Sequence, residues 1–235
     1  MLRLTPILLA VLYALVAYRF SVWRLSRTLD QRSTELADPI LRHHLGRMAT
    51  ALGVERIPVY IYEVAPVNGL AAPDGRVFLT RGFFDRYRRG EVSSEELASV
   101  IAHELGHVAL GHARRRMIDF SGQNALRVVA MMLLGRLLPL GLGVWVANML
   151  AGLLAARLSR QDEYEADAWA AALMTKAGLG TGPQKALFSK LGRLTGAGGA
   201  EAPVWTASHP RPADRIAAIE ALEARWGTGP ALSPG

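Results

Sequence analysis

Ser93-Ser94-Glu95-Glu96-Leu97-Ala98-Ser99-Val100-Ile101-Ala102-His103-Glu104-Leu105-Gly106-His107-Val108 decides how this chain folds. Ser93 and Glu96 have the spacing of a capping box, so a helix is expected from Ser94. Leu97, Val100, Ile101, Leu105 and Val108 form an apolar stripe along it. Residues four apart stack on one face of a helix, so His103 and His107 can share one metal ion. Glu104, one step round, would face water on that ion and take its proton, because zinc lowers the pKa of such water to about 7. The competing reading is two ordinary histidines on a half-buried helix. The strong cap and the apolar stripe favour the metal.

Working outward, composition limits the ligand set. The 235 residues contain no cysteine, so zinc fingers, iron–sulfur centres and thiol nucleophiles are excluded. Any zinc must sit on histidine and carboxylate. A third protein ligand is required, with one position left open. A ligand His six residues after His107 is excluded, because Ala113 stands there. His112 lies about half a turn from His103 and cannot close the site without breaking the helix. It reads as a helix-end or hydrogen-bonded histidine. Glu163-Tyr164-Glu165-Ala166-Asp167 is the acidic cluster on a later apolar helix. Glu163 and Asp167 share a face, so Glu163 can ligate while Asp167 holds the second nitrogen of a ligand histidine. The alternative is a solvated helix N-terminus. Glu165 falls on another face and is expected to be solvated.

The chain is 51% hydrophobic, and two stretches hold the excess. Leu4 to Tyr18 is uncharged, and Phe20, Val22 and Trp23 extend it past Arg19. Residues 1–23 are therefore read as an N-terminal transmembrane anchor, and a cleaved signal peptide leading to an exported or periplasmic protein is the alternative. Arg19, Arg24, Arg27 and Arg32 follow it, which places the bulk of the chain in the cytoplasm. Val128 to Ala156 is the second stretch, broken only by Arg136. Between the two come a helix from Pro39 to Leu52 and strands near Pro58–Val64 and Arg76–Thr80. Helices are expected again from about Ser159 to Lys176, Pro183 to Leu194, and Pro212 to Gly227. The chain thus divides into the anchor, a catalytic domain over residues 24–226 with an apolar insertion at about 126–156, and a disordered tail over 227–235. The net charge of +7 comes with neither an aromatic-interleaved basic face nor a docking motif, so nucleic acid is not expected as a partner.

Three linked motifs carry a family resemblance: His103-Glu104-Leu105-Gly106-His107; Ser159-Arg160 with Glu163 through Asp167; and Ser208-His209-Pro210 with Arg215-Ile216. The chain resembles the gluzincin endopeptidases that include the HtpX membrane protease and the CAAX prenyl endopeptidases, over roughly Asp38 to Leu222. The resemblance implies one catalytic Zn2+ on His103, His107 and Glu163, with Glu104 as general base and Asp167 hydrogen-bonded behind a ligand. It further implies that His209 polarises the substrate carbonyl and that Arg215 orients the site. Asn68, in the run Val67 to Gly75, matches a strand that borders the cleft and pairs with extended substrate. Gly69-Leu70 replaces the usual small–aromatic pair beside it.

A shared ion also constrains the second apolar stretch. His103 and Glu163 must lie on one side of any membrane, and two crossings need about 40 apolar residues. The stretch is therefore expected to form a helical hairpin on the core or to dip into one leaflet. The sequence as a whole predicts a mainly helical α+β fold, with a small sheet beside the active helix and a membrane anchor. The expected function is a zinc endopeptidase acting on polypeptides, among them membrane or misfolded proteins, with membrane lipid contacted through the anchor. A non-catalytic, membrane-anchored binding protein on the same fold is the rival. Oligomeric state is not indicated.

Overall fold

The computed structural model describes residues 5–72, 74–112, 115, 142–194 and 210–227. In chain order the elements are α1 (Thr5–Gln31), β1 (Ser33–Glu35), α2 (Pro39–Leu52), β2 (Val59–Tyr62), β3 (Gly69–Ala71), β4 (Val77–Thr80), α3 (Arg81–Arg88), α4 (Ser94–Ala109), α5 (Leu142–Lys176), α6 (Gly182–Leu194) and α7 (Pro212–Gly227). The architecture is mainly helical with one small mixed sheet, as expected. β1, β3 and α3 were not foreseen.

Local chemistry accounts for the boundaries. Asp38 caps α2 by accepting hydrogen bonds from the backbone N–H groups of Ile40 and Leu41, both at 3.1 Å, with Pro39 in the first turn. The α4 capping box forms as read: Ser93 Oγ accepts from Glu96 N at 3.1 Å, and Ser93 N donates to Glu96 Oε2 at 2.8 Å. Glu96 is buried and also pairs with Lys190 of α6, so the cap is tied to a second helix.

The sheet runs β1-β2-β4-β3, with β2 and β4 parallel and the outer pairs antiparallel. Central β4 is buried on both faces. Val77 and Leu79 face the main core with Val59 and Ile61. Phe78 faces the other way, onto Leu29 and Ala72 and against the Tyr60 ring. Leu29 belongs to α1, so that helix runs past residue 23 without a break and docks its end on the sheet.

α4 is the hub. Leu97, Ala98, Ile101 and Ala102 are fully buried, and the helix contacts α2, α5, α6, β3 and β4. Burying a side chain such as Leu97 or Ile101 contributes about 1.5–3 kcal/mol. α5 starts at Leu142, not near Ser159, so the end of the second apolar stretch continues straight into the helix that carries Glu163. The rest of that stretch, residues 128–141, lies outside the described residues, and with it the hairpin or leaflet reading. Residues 228–235 of the tail do too. Among the described residues no helix is long and apolar enough to cross a membrane. Most side chains in the first half of α1 lie outside the description, so the anchor reading remains an expectation.

Candidate active site

The buried face of α4 carries His103 and His107, and α5 crosses it closely. The crossing depends on Gly106. A Cβ at that position would lie 3.0 Å from the Ala166 carbonyl oxygen and 3.1 Å from its Cα. The helices can therefore approach backbone to backbone, and Glu163, one turn before Ala166, reaches the histidines. His103 Nε2 and His107 Nε2 are 3.2 Å apart. The Glu163 carboxylate oxygens stand 3.3 Å from the first and 3.4 Å from the second. Two imidazole nitrogens and a carboxylate oxygen within 4.8 Å of one another are a donor set that fits zinc.

The second nitrogen of each histidine is also engaged. His103 Nδ1 donates to Asp167 Oδ1 at 2.9 Å. Asp167 in turn accepts two charge-assisted hydrogen bonds from Arg215, at 2.6 Å each, and both side chains are 1% exposed. The Arg215 guanidinium lies 4.0 Å above the Phe188 ring. Burial would raise the Asp167 pKa, but the Arg215 charge and hydrogen bonds hold it below the usual carboxylate range. Burial would lower that of His103, yet its bonds to Asp167 and Glu163 carry it up to about 9. Arg215 thus touches both Asp167 and His103.

On the other side, His107 Nδ1 lies 2.8 Å from His112 Nδ1. His112 is 1% exposed, and its Nε2 is 3.2 Å from Glu165 Oε2. Arg115 donates to Glu165 at 2.7 Å and to Asp162 at 3.3 Å. The hydrogen-bonded reading of His112 holds. Glu165 keeps 31% of its side chain exposed, in line with the solvated reading, and it also bonds His112, Arg115 and Gln161. The helical wheel missed this because the chain turns at Gly111 (φ 65°) beyond α4 and brings His112 back towards α5. Burial lowers the His112 pKa against the opposing pull of Asp162 and Glu165.

Glu104 is buried between α4 and β3. A Cβ on residue 69 would lie 2.8 Å from Val100 Cγ1 and 3.2 Å from Glu104 Oε1. A side chain at this position would have to push Val100 or Glu104 aside, so glycine suits the close approach of the strand. Asn68, just before the strand, is pinned by Thr80. Its N–H donates to Thr80 Oγ1 at 2.9 Å, and its carbonyl accepts from Thr80 Oγ1 and N, both at 3.0 Å. Among the described residues β3 pairs only with β4 and is therefore an edge strand, and its Gly69 faces Glu104. His209 lies outside the described residues.

Comparison with known proteins agrees with this geometry. Metalloprotease LoiP of Escherichia coli (strain K12) is 30% identical over 196 residues, covering 77% of this chain and 74% of that protein. Metalloprotease YcaL of the same strain is 31% identical over 156 residues, covering 65% and 59%. A protease HtpX homolog of Bordetella avium (strain 197N) is 27% identical over 228 residues, covering 82% and 72%. The model of peptidase family M48 matches residues 35–223, a span that takes in α4, α5 and Arg215. With the two histidines, the glutamate and the match all on one core, the chain is a metallopeptidase and belongs to peptidase family M48.

Proposed function

We propose that the chain is a zinc-dependent endopeptidase in which His103, His107 and Glu163 hold the ion. The observation that carries this reading is the convergence of the two Nε2 atoms and the Glu163 carboxylate within 3.2–3.4 Å of one another. When bound, the ion acidifies a water molecule and polarises the scissile carbonyl. Glu104 takes the proton from that water and passes it to the departing amine. Its closeness to Gly69 of β3 supports this role for a substrate laid along that strand. Extended polypeptide adds to the β3 edge through main-chain hydrogen bonds, with the Asn68–Thr80 clasp fixing the start of the strand. Asp167 keeps the His103 proton on Nδ1, leaving Nε2 free to face the ion, and Arg215 holds Asp167 in place. His209 is assigned, by the family resemblance, to hydrogen-bond the carbonyl oxygen.

Membrane attachment through residues 1–23 belongs to the same proposal. It is supported by the uncharged run from Leu4 to Tyr18, the arginines that follow, and exposed Leu12, Val16, Phe20 and Trp23 on α1. With the arginines on the inner side, the catalytic domain is cytoplasmic and meets polypeptides presented near the bilayer. A reporter fused after Trp226 tests this, since activity of that reporter outside the membrane would contradict it.

The catalytic reading is tested by removing metal with a chelator and restoring zinc to the purified chain. Casein cleavage should disappear and return with zinc, and Glu163→Ala should neither bind zinc nor cleave. Undiminished cleavage by the chelated protein or by Glu163→Ala would contradict the assignment.

A further inference from the structure

We infer that His112 is a positioning residue that holds the His107 ring for metal binding, an inference that rests on the zinc-site reading above. The 2.8 Å separation of the two Nδ1 atoms requires one of them to donate. For His107 Nε2 to offer its lone pair to an ion, the His107 proton must sit on Nδ1. His107 is then the donor and His112 Nδ1 the acceptor. The His112 proton is thereby placed on Nε2, which faces Glu165 Oε2 at 3.2 Å and Asp162 Oδ1 at 3.8 Å. Every link is therefore directional: carboxylates orient His112, and His112 orients His107.

The burial of His112 supports a built arrangement. A helix-end histidine in water can turn freely, whereas this ring is 1% exposed with both nitrogens engaged. Burying an imidazole without such partners would cost free energy. Arg115 completes the arrangement from outside, donating to Glu165 at 2.7 Å and to Asp162 at 3.3 Å.

His112, Asp162 and Glu165 could also hold a cation themselves, since their ligand atoms lie within 4.8 Å of one another. The Arg115 guanidinium already occupies the cationic place against those two carboxylates. The His112 nitrogen nearest them also serves as the hydrogen-bond donor. The network is thus a support for the first ion's ligand and does not hold a second ion.

The test uses the full chain, with zinc affinity read by competition with a chromophoric chelator and the site geometry read from the cobalt(II) absorption spectrum. His112→Leu should weaken zinc binding roughly 10–100-fold and alter the cobalt spectrum. His112→Asn, whose amide oxygen can stand where Nδ1 accepts, should recover most of the affinity. Glu165→Gln should show a smaller loss, and it carries the test if His112→Leu does not fold. Wild-type affinity and an unchanged spectrum in His112→Leu would overturn the inference, as would two zinc ions per wild-type chain falling to one in that variant. His107→Ala separates the two claims. If it loses the ion while His112→Leu keeps it, only the positioning role fails; if it binds zinc as the wild type does, the zinc-site reading fails and the positioning role with it.

Discussion

His103 and His107 sit one turn apart on α4, yet they are braced by different means. Behind His103 stands a carboxylate locked by a guanidinium, both 1% exposed, and the set joins α4, α5 and α7 through the core. Behind His107 stands a second imidazole from the turn just after α4. It is backed by Glu165 and Arg115, whose side chains are 31% and 43% exposed. The first brace is part of the fold; the second is a local support at its rim. Breaking the first should therefore cost stability and metal together, and breaking the second should cost metal with little change in stability.

The largest effect is expected at Arg215. Arg215→Met leaves the buried Asp167 charge without its main partner and should destabilise the protein by about 3–5 kcal/mol in urea unfolding. A loss below about 1 kcal/mol would mean that the His103 brace is no more structural than the other. Next is Gly106→Ala. Its Cβ would press on the Ala166 backbone, so α5 must move away and carry both braces with it. Overpacking of this kind costs about 1–3 kcal/mol, and zinc affinity should fall in the same variant. Unchanged zinc affinity would show that the close crossing does not set the site.

Arg115→Gln sharpens the other half of the comparison. The Arg115 side chain is 43% exposed and screened by water, so its loss should move the unfolding midpoint far less than Arg215→Met does, even though its partner Asp162 is buried, while chelator competition detects weaker zinc binding. A large loss of stability would remove the distinction between the braces. The smallest effect is expected at His44, which lies under the first turn of α4, against Ser94 and Glu95. Burial lowers its pKa, although Glu95 opposes the shift. The folded pKa is thus below the unfolded value of about 6.5. The unfolded chain takes up this proton first, so stability is full above that pH and falls as pH drops towards the folded pKa. His44→Gln should show less acid-induced loss of stability between pH 7.5 and 5 than the wild type, with zinc affinity at pH 7.5 unchanged. A steeper acid loss in the variant would contradict the burial argument.

The two braces also differ in how far the sequence revealed them. Glu163 and Asp167 are four apart on one helix, so their shared face was readable from the period, and their tie to His103, 64 positions away for Asp167, was legible through the linked motifs of the family resemblance. The α4 capping box, the Asp38–Gly53 limits of α2 and the Pro212 start of α7 are equally local signals. The His107 brace joins residues 53 positions apart across a turn, and no period encodes that contact. The role of Gly106 was hidden for the same reason, because its partner is the backbone of another helix. β1 and β3 have three residues each, too few for alternation to register. The start of α5 was misplaced because its first residues are apolar all round and show no amphipathic face.

Both braces matter only if the ion they support works with Glu104. The most direct measurement pairs zinc content with casein cleavage in Glu104→Gln. The substitution removes the base and leaves His103, His107 and Glu163 intact. The account predicts one zinc per chain, as in the wild type, with cleavage reduced by roughly 100-fold or more. Zinc retained together with wild-type cleavage would contradict it.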